Sequence, residues 1–385
     1  MDSKNSIIGF KGFDNDLSCR GFQYEVGKTY DLKGEAVCCK RGFHFCEYPL
    51  EVFDYYPPCT SRFCQVEGSG SVDTSKVDSK VATSHIHISS EIGLNGLIDA
   101  GLKYILNKVD CYGGKTTNTG NYSVSTRTTR YSAATNTGNH STATNTGFYS
   151  AATNEGEKSV ATNCGYQSVA INKGYYSAAT NTGNHSVATN SGTNSIATNS
   201  GCHSAATNEG EKSVATSTGF QSVATNSGYK SAATSTGYQS VATNSGYKSA
   251  ATNTGDYSVS TNTGISSSAT NSGDSSSATS SGKQSTAIST GSNSLATSSG
   301  KQSTAISTGA NSLATVQGKE SIAVVTGKDS MAYGTLGSWI VLTERGDFDG
   351  EINPIKEVKA FKVDGVNIKE NIPYKLVDGQ AVAVI

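Results

Sequence analysis

Proline is scarce in this chain of 385 residues, which has only 5 prolines against 42 glycines. That ratio excludes a proline-rich linker and indicates regular tight turns instead. Charged side chains are also few, at 16%, and the formal net charge is −1, which argues against a charged disordered tail. We find no basic stripe in the sequence, so the charge pattern does not favour direct binding of nucleic acid.

Long apolar runs are missing too. No stretch of 18 apolar residues occurs, so we expect no transmembrane helix and no membrane partner. The opening "MDSKNSIIGFKGFDND" lacks the apolar segment of a secretory signal. The 9 cysteines, an odd number, are therefore expected to be reduced thiols in a cytoplasm.

Four possible metal ligands lie close together in "CCKRGFHFC", namely Cys38, Cys39, His44 and Cys46. No C-x2-C pair occurs there, and no second pair follows at the spacing of a zinc site. Buried thiols are the simpler interpretation. We therefore expect no metal and no cofactor.

A strict repeat fills the middle of the chain. Serine recurs every nine residues from Ser123 to Ser330, in 24 units without an insertion. The position two later is Ala in all but two units, and the position six later is Gly in all but two. Stacked coils require such a register, because one inserted residue would disrupt every neighbouring pairing.

Each unit divides into S-x-A-x-N, which alternates like a strand, and x-G-x-x, which predicts a turn. We expect the glycine to supply a positive φ. Ser, Ala and Asn share one face of the strand, and their small size places them in a narrow interior, with the asparagines in an amide ladder. A second, longer period of 18 residues predicts that two units, and hence two strands, form each coil, which gives about 12 coils.

The predicted fold is therefore mainly β: a β-roll-like solenoid with about two nonapeptides per coil, an α+β N-terminal cap domain and a β C-terminal cap. The predicted domains are residues 1–112, 113–337 and 338–385. In the first, "SSEIGLNGLIDAGLKYILNK" predicts a helix capped by Ser89 or Ser90, and "PLEVFDYY" a short helix. In the last, the Asp-Gly pairs at 364–365 and 378–379 predict hairpin turns, and Trp339 is expected to cover the last coil.

With Ser and Ala inside, the Val and Thr positions form the outward face, where an apolar surface favours a partner. The residues predicted to bind there are Val169, Ile171, Val187, Thr189, Val223, Thr225, Val241 and Thr243. Aromatic residues at the turns form a second candidate set, since tyrosine is favoured in interfaces. These are Tyr166, Tyr175, Tyr229, Tyr238 and Tyr247. The alternatives are an ordinary strand surface and aromatic ladders that cover the coil edges.

Several segments resemble uncharacterised phage and prophage proteins. They are "KGFDNDLSCRGFQYEVGKTYDL", "GFHFCEYPLEVFDYYPP" and "SRFCQVEGSG", with a C-terminal "VKAFKVDGVNI" region. The GFHxC segment at Gly42–Cys46 is the most distinctive, and the resemblance implies no assigned activity. The nonapeptide itself resembles the head repeats of trimeric autotransporter adhesins and the two-strand β-rolls. It lacks the turn aspartates through which β-rolls bind calcium.

The leading hypothesis is a non-enzymatic phage-type scaffold in the bacterial cytoplasm, with no catalytic residues. It would engage a host protein or ribonucleoprotein complex, as an inhibitor of host defence, and a homo-oligomer stays open. One alternative is a virion fibre or adhesin-like component. Another is an ADP-ribosyltransferase-like enzyme, since the N-terminal region resembles that fold in its strand-helix-strand order. Its candidate residues are His44, Cys46, Glu47, Arg62 and Glu67.

Overall fold

The computed structural model describes residues 6–58, 60–76, 78–112 and 115–384. It is mainly β, with a β-solenoid of about 13 turns from residue 115 to 341 and a small α+β region before it, so the predicted fold class is confirmed. The chain forms two compact units. Unit 1 comprises the residues up to 173 with 178–189 and 199–205, and unit 2 comprises 174–177, 190–198 and 206–385.

Unit 1 begins with a small α+β region. Its elements are β1 (Ile7–Asp14), β2 (Ser18–Cys19), β3 (Phe22–Gln23), β4 (Thr29–Asp31), β5 (Phe43–Cys46), a 3-10 helix (Pro49–Asp54), β6 (Ser61–Thr74), β7 (Lys80–Glu91) and α1 (Gly93–Tyr112). The pairings β1–β6, β6–β7, β7–β5 and β5–β1 are all antiparallel and form a closed circuit. Strand β4 adds to β7.

Closure of this sheet gives the α+β region a compact core. The apolar side chains inside it include Phe13, Phe45, Val66 and Ile86, all buried. The long strand β7 pairs with three neighbours, β4, β5 and β6. Strand β6 pairs with β1 and β7, and its register with β7 shifts at 65–66 and at 69–72, as at β-bulges. The segment "SRFCQVEGSGSV" lies within β6, whereas "FQYEVGKTYDL" contains two short strands, β3 and β4.

The predicted helix cap is wrong. Helix α1 starts only at Gly93, because Ser89 and Ser90 belong to β7, where Ser90 is in register with Gln65. The main-chain N–H of Ile92 continues this edge by donating to Phe63 O at 2.9 Å. A strand partner far away in sequence thus prevails over the local capping signal.

The solenoid consists of four-residue strands separated by five-residue turns. They are β8 (Lys115–Asn118), β9 (Val124–Arg127), β10 (Ala133–Asn136), β11 (Thr142–Asn145), β12 (Ala151–Asn154), β13 (Val160–Asn163), β14 (Val169–Asn172), β15 (Ala178–Asn181), β16 (Val187–Asn190), β17 (Ile196–Asn199), β18 (Ala205–Asn208), β19 (Val214–Ser217), β20 (Val223–Asn226), β21 (Ala232–Ser235), β22 (Val241–Asn244), β23 (Ala250–Asn253), β24 (Val259–Asn262), β25 (Ser268–Asn271), β26 (Ser277–Ser280), β27 (Thr286–Ser289), β28 (Leu295–Ser298), β29 (Thr304–Ser307), β30 (Leu313–Val316), β31 (Ile322–Val325) and β32 (Met331–Gly334).

Strands 18 residues apart pair in parallel and in register, which confirms two nonapeptides per coil. Ala133 is level with Ala151 in unit 1, and Ala232 with Ala250 in unit 2. The Ser and Ala positions are buried as predicted. The serines link successive coils: the N–H of Ser168 donates to Ser186 Oγ at 2.8 Å.

The asparagines are buried too, but their amides bind the main chain rather than form the predicted amide ladder. Asn226 Nδ2 donates to Ser213 O at 3.1 Å and to Ala232 O at 3.0 Å, and its Oδ1 accepts from Gly228 N at 2.7 Å. Each side chain therefore joins both ends of one turn to the preceding strand. The amide oxygen satisfies the buried N–H of Gly228, and the amide nitrogen adds a second donor to Ser213 O, which also accepts from Ala232 N at 3.0 Å.

The predicted role of glycine is wrong. In the repeat, the positive φ angle occurs two residues after the glycine and directly before the next serine, as at Lys230 (φ 52°) and Lys248 (φ 53°). The glycine is needed for close approach instead: a Cβ on Gly246 would lie 1.9 Å from Gly228 O in the preceding coil. The close stacking of coils, rather than the turn geometry, therefore requires a residue without a side chain at this position.

Four strands close unit 2: β33 (Trp339–Arg345), β34 (Ile355–Lys362), β35 (Tyr374–Val377) and β36 (Gln380–Ala383). Trp339 does not cover the interior as expected, since it is 44% exposed while Ile340 and Leu342 are buried. The β35–β36 turn at Asp378 and Gly379 is the predicted hairpin. Asp364 instead accepts the N–H groups of residues 366–368, so the turn after β34 is not a hairpin.

Candidate functional site

Asp54, at the end of the 3-10 helix, attaches the α+β region to the first turns of the solenoid in unit 1. Its carboxylate lies 2.8 Å from His185 Nδ1 and accepts from Tyr166 OH at 3.1 Å and Gln167 Nε2 at 3.1 Å. Tyr48, fully buried, donates its hydroxyl to Gln167 O at 2.5 Å. Tyr166, predicted to bind a partner, is therefore engaged within the chain.

A second acidic residue, Glu51, supports the same attachment. Its side chain is only 4% exposed and accepts from Ser79 N at 2.6 Å and Tyr149 OH at 3.2 Å. Burial raises the pKa of Glu51 above its ordinary value. The ring of Tyr149 packs against Tyr48, with 5.3 Å between the ring centroids.

Part of the predicted outward face is buried in unit 1. Val169 and Val187 lie on the exterior of their coils yet are fully buried, and Ile171 is nearly so. In unit 1, α1 contacts β10 and β12 on this side of the solenoid. Thr189 is half-buried.

In unit 2 the other predicted face residues are less exposed than expected. Val223 is buried, and Thr225, Val241 and Thr243 are half-buried. The prediction that the eight face residues bind a partner stays a prediction. The strands of the other sheet expose more apolar surface in unit 2, at Ile196 and Ile322.

The remaining turn tyrosines are accessible in unit 2. Tyr175, Tyr238 and Tyr247 are exposed, and Tyr229 is half-buried. The rings of Tyr229 and Tyr247 stack with centroids 5.7 Å apart. The predicted aromatic ladder therefore exists here, and it leaves ring surface open.

Lysines continue along the turns that carry Tyr229 and Tyr247. Main-chain bonds place these turns beside one another: Lys230 N–H donates to Tyr247 O at 3.0 Å, and Gln284 N–H to Lys301 O at 3.0 Å. We call the exposed cations on this side of unit 2 the lysine edge. It consists of Lys212, Lys230, Lys248, Lys283, Lys301 and Lys319.

The lysine edge corrects the expectation of no basic stripe. Its members are 18 or more residues apart in sequence, so they form no visible cluster there. Stacked coils bring such positions to a spacing of about 4.8 Å per coil. In two sets of three, the lysines recur at the 18-residue period of the coil, and this recurrence, rather than a local run of basic residues, would have revealed the lysine edge in the sequence. Glu209, Glu211 and Glu320 are the acidic residues in these same turns.

The α+β region contains a cavity of about 430 Å³. Five basic side chains line it, Lys11, Arg20, Lys40, Arg41 and Lys80, together with His44, and none of the described residues in the lining carries a carboxylate. Aromatic rings form much of the remaining wall. They are Phe10, Phe22, Tyr24, Phe45, Tyr55 and Tyr56.

Two of the five residues considered for enzyme chemistry reach this cavity, His44 and Cys46. His44 Nε2 accepts from Cys39 N at 2.9 Å, and burial lowers the pKa of His44 while it raises that of the Cys46 thiol. Arg62 is instead held by Glu91 in a two-point ion pair at 2.9 and 2.6 Å.

Glu47 and Glu67 are exposed and, like Arg62, are not among the residues that line the cavity. Within the described parts of the chain, no three His, Cys, Asp or Glu side chains converge as a metal site would require. No helix among the described residues has the length and apolar character needed to cross a membrane.

Residues 7–100 match a family known as a domain of unknown function, DUF7666. The match covers the closed sheet, the 3-10 helix, the cavity and the start of α1, and it ends before the solenoid. No curated protein and no solved structure matches the chain significantly. The DUF7666 region therefore contains both the cavity and the residues, Glu51 and Asp54, that contact the solenoid turns.

Proposed function

We propose that this protein is a non-enzymatic scaffold of phage type, whose β-solenoid engages a host macromolecular complex in the bacterial cytoplasm and inhibits host defence. The partner is a host protein or ribonucleoprotein complex with an acidic surface. The phage assignment is supported by the resemblance of the two end regions. The lysine edge is the observation that supports binding.

The lysine edge suits an acidic partner for two reasons. Its six lysines are exposed and form two runs of three adjoining turns, separated by the turn that carries Ile265 and Ser266, so their positive charges lie along one side of unit 2. Tyrosines in the same turns offer stacked rings: Lys230 and Lys248 each lie 5.3 Å from the ring centroid of the tyrosine before them. Tyrosine beside cations is a favoured composition for an interface.

No single lysine should dominate binding. An exposed ion pair contributes about 0.2–1 kcal/mol, so a measurable loss requires several substitutions together. The attraction should also weaken with salt, because the Debye length falls from about 10 Å at 0.1 M to about 3 Å at 1 M.

The test is capture from host lysate with the full chain as bait, with the stoichiometry measured by native mass spectrometry. We expect a defined complex that is lost in the triple variant Lys230→Gln, Lys248→Gln and Lys301→Gln. The matched control, Lys356→Gln, Lys362→Gln and Lys369→Gln, removes the same charge from exposed positions of the C-terminal region.

Two outcomes would overturn the proposal. One is that both triple variants retain the complex equally, which would show that the lysine edge does not bind it. The other is a stable trimer of the chain without a host protein and present in purified particles, which would favour the fibre alternative.

A further inference from the structure

The cavity of the DUF7666 region has a chemical character that the scaffold proposal does not use. Its volume of about 430 Å³ falls within the range of small-molecule sites, roughly 300–1,000 Å³. Among the residues that the structure describes, its lining combines five cationic side chains with six aromatic ones and no carboxylate. Such a lining attracts an anion and, at the same time, offers flat apolar surface.

Lys11 is the most informative of the cations. Its side chain is only 5% exposed, and Nζ donates to His44 O at 2.9 Å and lies 3.5 Å from Cys19 Sγ. These are neutral or weak acceptors, and no carboxylate among the described residues forms an ion pair with Lys11. Burial lowers the pKa of Lys11, although Nζ also lies 5.3 Å and 5.7 Å from the ring centroids of Phe13 and Tyr24. An anionic ligand in the cavity would supply the missing charge.

The other cations stand nearer to solvent. Arg20, Lys40 and Arg41 are exposed on the loops around the cavity, and Arg41 donates to Lys33 O. Lys80 is paired with Asp78 at 3.6 Å and lies 4.1 Å from the ring centroid of Tyr55. Arginine and lysine in this combination suit a phosphate group, which accepts several hydrogen bonds at once.

The aromatic side chains define the second half of the ligand. Phe22 and Tyr55 are large yet remain close to half exposed. Phe22 belongs to an edge-to-face cluster with Tyr24 and Tyr30, with centroids 4.8 and 5.4 Å apart, so its position is fixed. Exposed, fixed rings beside cations are the surface on which nucleobases stack.

We propose that this cavity binds a nucleoside phosphate, with the phosphate held by Lys11 and the loop arginines and the base against the aromatic wall. The proposal is independent of the scaffold function, because it concerns the α+β region of unit 1 and not the lysine edge of unit 2. Failure of either leaves the other standing.

The test is isothermal titration calorimetry of the full chain with AMP, ADP, GMP and UMP, and with adenosine and inorganic phosphate as partial ligands. We expect at least one nucleotide to bind with 1:1 stoichiometry. Adenosine and inorganic phosphate should each bind at least 10-fold more weakly, since each satisfies only half of the lining.

Two substitutions connect binding to the cavity. Lys11→Met keeps the length of the buried side chain and should weaken nucleotide binding at least 10-fold. Arg20→Gln changes an exposed side chain, should not disturb folding, and should weaken binding several-fold. The control is Lys28→Met, an exposed lysine paired with Glu25 that does not line the cavity, and it should bind as the parent does.

The proposal is overturned if no nucleotide binds, or if Arg20→Gln and Lys11→Met both bind nucleotide as tightly as the parent. It is also overturned if inorganic phosphate binds as tightly as the nucleotides, because the aromatic wall would then contribute nothing. Thermal unfolding of each variant shows whether a loss of binding is a loss of fold, in which case Arg20→Gln decides.

Discussion

Gly246 lies directly against the carbonyl oxygen of Gly228 one coil earlier, so close that a methyl group on its Cα would stand 1.9 Å from that oxygen. The same contact recurs along the solenoid, for example between Gly264 and Gly246. Coils can therefore stack at strand spacing only while this position lacks a side chain.

The first prediction is that Gly246→Ala destabilises the protein by about 1–3 kcal/mol or more, because the coils must separate locally. The control is Lys248→Gly, which replaces a residue at φ 53° with one that tolerates this conformation. We expect that control to stay within about 1 kcal/mol of the parent. Urea unfolding midpoints measure both, and a larger loss for Lys248→Gly would mean that turn conformation limits stability.

The second prediction concerns serines at the asparagine position. Ser235 Oγ is buried and has no hydrogen-bond partner among the described residues, whereas Asn226 at the equivalent position makes three main-chain bonds. Ser235→Asn should therefore stabilise by about 1 kcal/mol, since it restores bonds that the serine cannot make.

The reverse change, Asn226→Ser, should cost about 1–3 kcal/mol by leaving main-chain groups unsatisfied. Thermal unfolding of both variants beside the parent measures the pair. Opposite shifts are expected, and a destabilised Ser235→Asn would show that the coil cannot accept an amide at that position.

The third prediction separates the two faces of the strand. Ala224 is completely buried, so Ala224→Leu should overpack the interior and cost about 1–3 kcal/mol or more. Thr243 is half-buried on the exterior, and Thr243→Lys should fold with a midpoint close to the parent. Circular dichroism and urea unfolding test this ranking, and the reverse order would mean that the faces are inverted.

The fourth prediction is a pH dependence at Glu51. Burial raises the pKa of Glu51 in the folded protein, so the folded state favours the protonated carboxyl. Protonation of Glu51 therefore contributes to folding stability below its unfolded-state pKa, and this stability is lost as the pH rises through its folded-state pKa. Glu51→Gln removes the titration. The stability of the variant relative to that of the parent should therefore be higher at pH 7 than at pH 4.

Melting temperatures of parent and variant at the two pH values measure this difference. Asp73→Asn is a suitable control, because Asp73 is an acidic residue of the same region that contacts Cys38 N rather than the solenoid. A Glu51 difference that does not change with pH would contradict the buried-carboxylate account.

Much of the solenoid could be predicted from local pattern. The alternation around Ser186 and Ala188 identifies the inward face, and the 18-residue period identifies the coil, because every unit repeats the same local environment. The positive φ before each serine could not be predicted, since Lys248 or Gln239 at that position carries no conformational signal of its own.

The candidate sites were less accessible to sequence reasoning. The cavity combines Lys11 from β1, Arg20 from a loop and His44 from β5, which come together only through the closed sheet. The burial of Val169 and Val187 likewise follows from no local pattern, because the strand alternation places both side chains on the exterior of their coils.

By itself, the sequence determined the repeating unit, the strand and turn within it, and which small residues face inward, because these follow from neighbours within 18 residues. Only the tertiary structure decided that glycine serves close stacking, that Val169 and Val187 are buried, and that a cationic cavity lies in the α+β region. The reason is physical: these features depend on distances between chain segments, and a one-dimensional pattern carries no distances beyond its own period.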